Sequence, residues 1–330
     1  MLNKRTGISV IVKNIRIEDF DSTLSATLAI NQNFTLNKSL LVSDKPISQP
    51  YWLEYPLHGG TFEVKDQLKI GKAENDPSFE VAIRLSLEGE DFLIKRPVLY
   101  RVTDPVRGDT YQPIAILPKL ELRYSNDNFI SVNSLPVKAR IDLKSNSNDS
   151  ARYSIVQQYS KKWESDQPFF QYNSKEDKYN YKSTEFSSRS GETNTTEEIQ
   201  VKTSNSKFDG YTKTIAYDHI PLITYFPKAK ANLVKLDVKI VGKKIGYIVG
   251  AGDKVPASLE QMGYSVTTLT EADLTEDNLK QYDAIITGIR AYNIHEFLTN
   301  KNEVLKRYVE NGGNLVVQYL KSNQVGQKKV

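Results

Sequence analysis

Cysteine is absent from all 330 residues. That excludes disulfides, thiolate metal sites and cysteine nucleophiles together, and it fits either side of a membrane. Histidine is scarce. His58, His219 and His295 are the three, and none has a second histidine or a carboxylate at metal-ligand spacing such as HExxH. The chain has no GxSxG nucleophile elbow and no Walker A loop. Its net charge of +4 is small for the length and spread out, which offers nucleic acid no basic stripe. Long apolar runs are missing too. Ile8–Val12, after Met1-Leu2-Asn3-Lys4-Arg5, is too short for a signal core or a spanning helix.

What remains is aromatic and β-prone. Nineteen Tyr and twelve Phe against two Met suit β structure better than a helical bundle. A hydrophobic share of 39% with 25% charged residues describes an ordinary soluble protein. Two or three domains are expected at this length. From Ile8 to about Ile116 short strand-like runs (Ile8–Val12, Thr61–Val64, Phe79–Leu87, Val98–Val102) alternate with turn clusters such as His58-Gly59-Gly60. Phe79, Val81, Ile83, Leu85 and Leu87 follow the period-2 pattern of a half-buried strand. A second β segment starts at Leu117-Pro118 and continues through Leu120–Tyr124, Val137–Leu143, Ile199–Val201 and Tyr211–Tyr217. Both segments, 1–116 and 117–240, read as antiparallel β-sandwiches of immunoglobulin-like type. The polar tract 173–207 reads as a mobile hairpin or linker, or else as a binding loop.

The last segment, 241–330, changes period. Apolar runs at Lys244–Val249, Tyr264–Leu269, Asp283–Thr287 and Asn314–Tyr319 alternate with helical stretches at Val255–Met262 and Glu296–Glu310. That spacing predicts βαβ units and a parallel sheet. Four strands are fewer than a doubly wound sheet usually has, so the expectation is a truncated flavodoxin-like α/β unit. Strand order 2-1-3-4-5 would leave Asn314–Tyr319 at an edge, open to self-association.

Candidate chemistry gathers at the carboxyl ends of the first and third of these strands, the switch point where such sheets bind ligands. Gly250 and Gly252 allow close backbone approach. Asp253 reads as a helix N-cap. The facing loop supplies Arg290, Tyr292 and Asn293, respectively a forked donor, a stacking face and an amide. Arg290 either meets a carboxylate or acidic sugar or pairs with Asp253 across the loops. No catalytic set and no metal set is assigned. In the second segment Asp218 stands beside His219 and could orient its imidazole.

Six blocks carry a resemblance. They are Gln49-Pro50-Tyr51-Trp52-Leu53, Tyr100-Arg101-Val102-Thr103-Asp104-Pro105-Val106-Arg107-Gly108 and Asp218-His219-Ile220-Pro221. Then come Ile245–Asp253, Gly288-Ile289-Arg290-Ala291-Tyr292-Asn293 and Gly312–Tyr319. In this order they resemble the region that follows the catalytic domain in large PIG-L/LmbE-like deacetylases of Bacteroidetes. The resemblance implies a secreted or periplasmic parent whose N-terminal domain uses zinc to remove acetyl from N-acetylglucosamine-type substrates. That domain's His-Pro-Asp-Asp motif does not occur here, so neither its zinc ligands nor its general base map onto any residue, and zinc is expected only in the catalytic domain. The terminal unit is similar to glutamine-amidotransferase-like domains, whose reaction needs a cysteine that this chain lacks. The expectation is a non-catalytic accessory region, carbohydrate-binding or structural, with the deacetylase domain as partner. Tyr51, Trp52 and Tyr55 are candidate sugar platforms, unless Trp52 is core. The alternative is a stand-alone hydrolase or ligand-binding protein using the Asp253/Arg290 crevice.

Overall fold

The computed structural model describes residues 2–40, 45–148, 150–175, 178–189, 191, 194–204 and 209–321. It is β-rich and built of several sheets. In the first segment β1 (Val10–Ile17), β2 (Phe20–Thr27), β3 (Glu80–Leu87) and β4 (Glu90–Pro97) form one antiparallel sheet in the order β2-β1-β3-β4. The alternation read from Phe79 to Leu87 is β3, and its inward residues Ile83 and Leu85 pack with Val10, Val12, Ile15 and Leu28. In place of two facing sheets, this segment adds a hairpin, β5 (Leu99–Asp104) with β6 (Gly108–Pro113), and a short ladder of Leu2–Asn3 with Asn33–Phe34. Thr61–Val64 is not a strand. Only Thr61 pairs, with His58, across a turn in which Gly59 and Gly60 both take positive φ.

The second segment is two layers. Five strands run β8-β15-β14-β10-β12: Asn128–Val132, Lys230–Leu236, Thr195–Thr203, Arg152–Gln158 and Phe169–Asn173. Four face them as β11-β13-β9-β7: Trp163–Ser165, Tyr179–Ser188, Val137–Ser145 and Leu120–Tyr124. Trp163, Phe129, Phe186, Ile141, Ile155, Ile199 and Leu233 close the core between the layers, each at most 2% exposed. One pairing departs from the antiparallel expectation: β8 lies parallel to β15. The polar tract 173–207 is no loose loop or hairpin. It contains β13 and β14, which belong to different sheets, and the few apolar side chains among its polar ones (Phe186, Ile199, Val201) are fully buried. Polar residues at every second position simply face water. Within the tract, Glu176, Asp177, Ser190, Glu192, Thr193 and 205–207 lie outside the described residues.

In the last segment β16 (Lys244–Ile248), β17 (Ser265–Thr268), β18 (Ala284–Thr287) and β19 (Asn314–Val317) are all parallel, in the order β17-β16-β18-β19. Helix α1 (Val255–Gln261) follows β16, and short α2 (Glu276–Leu279) precedes β18. The single helix expected over 296–310 is two, α4 (Phe297–Asn300) and α5 (Asn302–Glu310), broken at Lys301, with α3 (Ala291–Ile294) ahead of them. Leu298, Leu305 and Tyr308 pack on Ile248, Ile285 and Leu279. No helix among the described residues is long and apolar enough to cross a membrane.

This sheet is docked onto the sandwich. Strand β8 is an edge of its layer, and the Gln261 side chain of α1 completes it as a neighbouring strand would. Its Oε1 accepts from the Ile130 N–H at 2.8 Å and its Nε2 donates to the Asn128 carbonyl at 3.3 Å. Lys254 and Asp127 add an ion pair beside it.

Candidate functional site

The carboxyl ends of β16 and β18 meet as the strand order requires, and glycine is what lets them. A Cβ on Gly250 would lie 2.1 Å from the Ile289 carbonyl oxygen, and one on Gly288 would lie 2.5 Å from the Gly250 nitrogen. The close approach is therefore of one loop to the other, sealed by Ala251 N–H donating to Ile289 O at 2.8 Å. Gly252 differs. Its φ of +109° suits glycine, and open space surrounds it.

Between the loops sits a polar cluster centred on Tyr247, 1% exposed on β16. Its hydroxyl donates to Asp253, 2.7 and 2.6 Å from the two carboxylate oxygens, and accepts from Gln318 Nε2 at 3.1 Å. Asp253 also accepts from the Val255 N–H at 3.0 Å and from the Ile289 N–H at 3.2 Å, but the N-cap position of α1 is Lys254, one residue later than expected. Burial raises the Asp253 carboxyl, but the Tyr247 hydroxyl and the two N–H donors outweigh it and hold it below the usual aspartate range. Burial, reinforced by the neighbouring carboxylate, pushes the Tyr247 hydroxyl well above the ordinary phenol range. At pH 7 the pair is a neutral phenol donating to a carboxylate. It is a fixed hydrogen bond rather than a poised acid and base. The Thr287 hydroxyl, fully buried at the same strand ends, has no hydrogen-bond partner among the described residues.

The six predicted residues are brought to one end of the sheet, but not as a set facing a common space. No ion pair joins Asp253 to Arg290 among the described residues, since the carboxylate is held by Tyr247 and the loop amides. Arg290 takes left-handed backbone (φ +61°), and its N–H donates to Tyr319 O at 2.7 Å. Tyr292 is 7% exposed and packs in the core, so it offers no stacking face. Both ends of the Asn293 amide hold the chain after β19: Nδ2 donates to Lys321 O at 2.9 Å, and Oδ1 accepts from Lys321 N–H at 2.8 Å. His295, at the end of α3, donates from Nε2 to Val249 O at 2.8 Å. Sequence reasoning missed Tyr247 and Gln318. An aromatic inside an apolar strand reads as core, and the one available signal was a tyrosine six residues ahead of an aspartate.

A second seam joins the first two segments. The Gln49 side-chain amide donates to Leu53 O at 2.9 Å and Phe226 O at 3.3 Å, while its oxygen accepts from Phe226 N–H at 2.8 Å. Arg107, at the turn between β5 and β6, grips Asp218 with both terminal nitrogens, at 2.9 and 2.8 Å. Asp218 is thus held by Arg107, not aligned on His219, whose ring instead lies 5.8 Å from that of Tyr217. Tyr51 is buried with its hydroxyl on Lys72 O, Trp52 is half-buried edge-on to it at 4.9 Å, and the Lys65 ammonium lies 4.2 Å over Tyr55. These rings make no shared platform.

Among the described residues no three His, Asp or Glu side chains converge to hold a cation. No protein-family model matches the chain, and no curated protein matches it. Among solved structures, domains 4 and 5 of the S-layer protein SbsC are similar over 48% of this chain and 65% of that one, at 4% identity and a TM-score of 0.21. A superposition that loose establishes no shared fold.

Proposed function

We propose that this chain is a non-catalytic accessory region of a PIG-L/LmbE-like zinc-dependent de-N-acetylase, exported with its parent and acting on N-acetylated glycans. In that reading 117–240 is an immunoglobulin-like sandwich, and 241–321 corresponds to the flavodoxin-like sheet of amidotransferase-like domains. The zinc and its ligands belong to the catalytic partner.

One observation carries the proposal. Each of the six blocks of the resemblance contributes a polar side chain to one of two seams of the molecule. Gln49, Arg107 and Asp218 join the first segment to the second. Tyr247, Asp253, Asn293 and Gln318 tie the strand ends of the last. Such residues hold segments together where relative motion is otherwise the default. The alternative, a hydrolase at the crevice, needs a carboxylate or amide directed at substrate, and Asp253 and Asn293 are both engaged within the protein.

The test is co-purification with a PIG-L-type zinc deacetylase domain from the same genome. A stable one-to-one complex on size exclusion is expected. Separate elution of the two at micromolar concentration would overturn the proposal.

A further inference from the structure

We propose that the outer face of β7, β9 and β13 binds an acidic oligosaccharide. Cross-strand register lines up two rows of side chains on this face: Glu121, Lys144 and Tyr179 in one, Arg123, Asp142 and Tyr181 in the other. Tyr179 and Tyr181 are 71% and 62% exposed. Two positions apart on one strand, they stand roughly 7 Å from each other, so consecutive sugar rings can each meet one, Tyr181 together with the Arg140 guanidinium that lies 5.6 Å from its ring centre. The opposite wall is Tyr211, fixed beside β7 because Thr212 N–H donates to the buried Glu121 carboxylate at 2.8 Å and Leu122 N–H to Gly210 O at 2.7 Å. The walls enclose a groove of about 430 Å³, within the size range of ligand sites, and it combines aromatic rings with a few charged groups as such sites do.

The charge of the ligand follows from which groups are paired. Asp142 is bridged by Arg140 at 2.9 Å and Glu121 by Lys144 at 3.0 Å. Arg123 forms no ion pair among the described residues. Its guanidinium lies 4.8 Å over the Tyr211 ring, which holds the fork in place and leaves its edge for a carboxylate. A peptide strand would need an open sheet edge, whereas this groove lies on a sheet face. The groove stands on its own geometry. The choice of a saccharide among acidic ligands rests on the accessory reading.

Calorimetric titration of the full chain with a hyaluronan hexasaccharide, and with chitohexaose as a neutral probe of equal length, tests the proposal. Saturable binding of the acidic probe is expected, with the neutral one at least about tenfold weaker. Y181A, Y211A and R123Q should each weaken acidic binding by about tenfold or more, at unchanged melting temperature because all three sit on the outer face. Y100A, on the β5–β6 hairpin, should change nothing. Equal affinity for both probes would overturn the role of Arg123. Binding indifferent to the three variants would remove the groove while leaving a carbohydrate-binding accessory region intact. No binding of either probe would overturn the site, and the co-purification result would still decide the accessory reading separately.

Discussion

Replacing Tyr247 by Phe removes one oxygen atom from a site that is 1% exposed and leaves the ring packing unchanged. The consequences can be worked from the contacts. Asp253 loses the Tyr247 hydroxyl donor and keeps two backbone N–H groups, and Gln318 Nε2 loses an acceptor at 3.1 Å. A hydrogen bond to a charged group is worth about 1.5–3 kcal/mol, and this one is partly buried, so a loss at the lower end, about 1.5 kcal/mol, is expected. Asp253→Asn should cost a similar amount. Each carboxylate oxygen accepts a backbone N–H, and an amide can serve only one of them. The pH response separates the two variants. The folded-state pKa of Asp253 is depressed, so its contribution is fully present above the ordinary aspartate value and is lost as pH falls through the lower folded value. Wild type should therefore lose this increment on acidification, whereas Asp253→Asn should lack it at every pH. Urea unfolding followed by hydrogen exchange at the Ile289 and Val255 amides reads all of this. If Tyr247→Phe stays within about 0.5 kcal/mol of wild type, near the scatter expected of a neutral surface change, the cluster does not bind the strand ends together.

Three other outcomes follow from the same contacts. Gly250→Ala would place a Cβ 2.1 Å from the Ile289 carbonyl. The loops must separate, at a cost of about 3 kcal/mol or more, read as a lowered urea midpoint; a midpoint within error of wild type would refute it. Gln261→Ala removes both hydrogen bonds to β8. It should cost about 1–2 kcal/mol and accelerate exchange of the Ile130 amide, and unchanged exchange would mean that α1 does not dock the sheet. Strand β19 is an edge, and Val316 on it is 50% exposed. Sedimentation velocity should therefore show self-association that Val316→Lys suppresses, and clean monomers at high concentration would contradict it.

Much of the architecture was legible because burial writes itself into periodicity. The alternation in 79–87 and 137–143 became β3 and β9, and the change of period after Lys244 announced the parallel sheet. Other elements left no such trace. Strand β4 is exposed along nearly its whole length, so nothing enforces alternation in Asp91-Phe92-Leu93-Ile94. The β8–β15 pairing joins residues about a hundred positions apart, and no local pattern encodes a partner so distant. Helix α2 is a single turn held by its Thr275 cap, below the length at which a hydrophobic period can show. At the strand ends the glycines were readable as points of close approach, but not what approaches them. Gly250 meets the 288–289 backbone because the sheet order brings that loop there. The polar tract misled for the opposite reason. Its buried apolar side chains, Phe186, Ile199 and Val201, are outnumbered by polar ones, so composition hid β13, while the short run Ile199–Val201 was the one trace of β14.

The accessory role is tested most directly by acetate release from an acidic polymer that alternates N-acetylglucosamine with a uronic acid, catalysed by a zinc-loaded PIG-L-type deacetylase domain with and without this chain. The account predicts no release by the chain alone. With the chain present, KM for the polymer should fall while kcat and turnover of the monosaccharide stay unchanged, the signature of added substrate binding without added chemistry. Zinc-dependent release by the chain alone that Asp253→Asn abolishes would contradict it, and so would a KM indifferent to the chain.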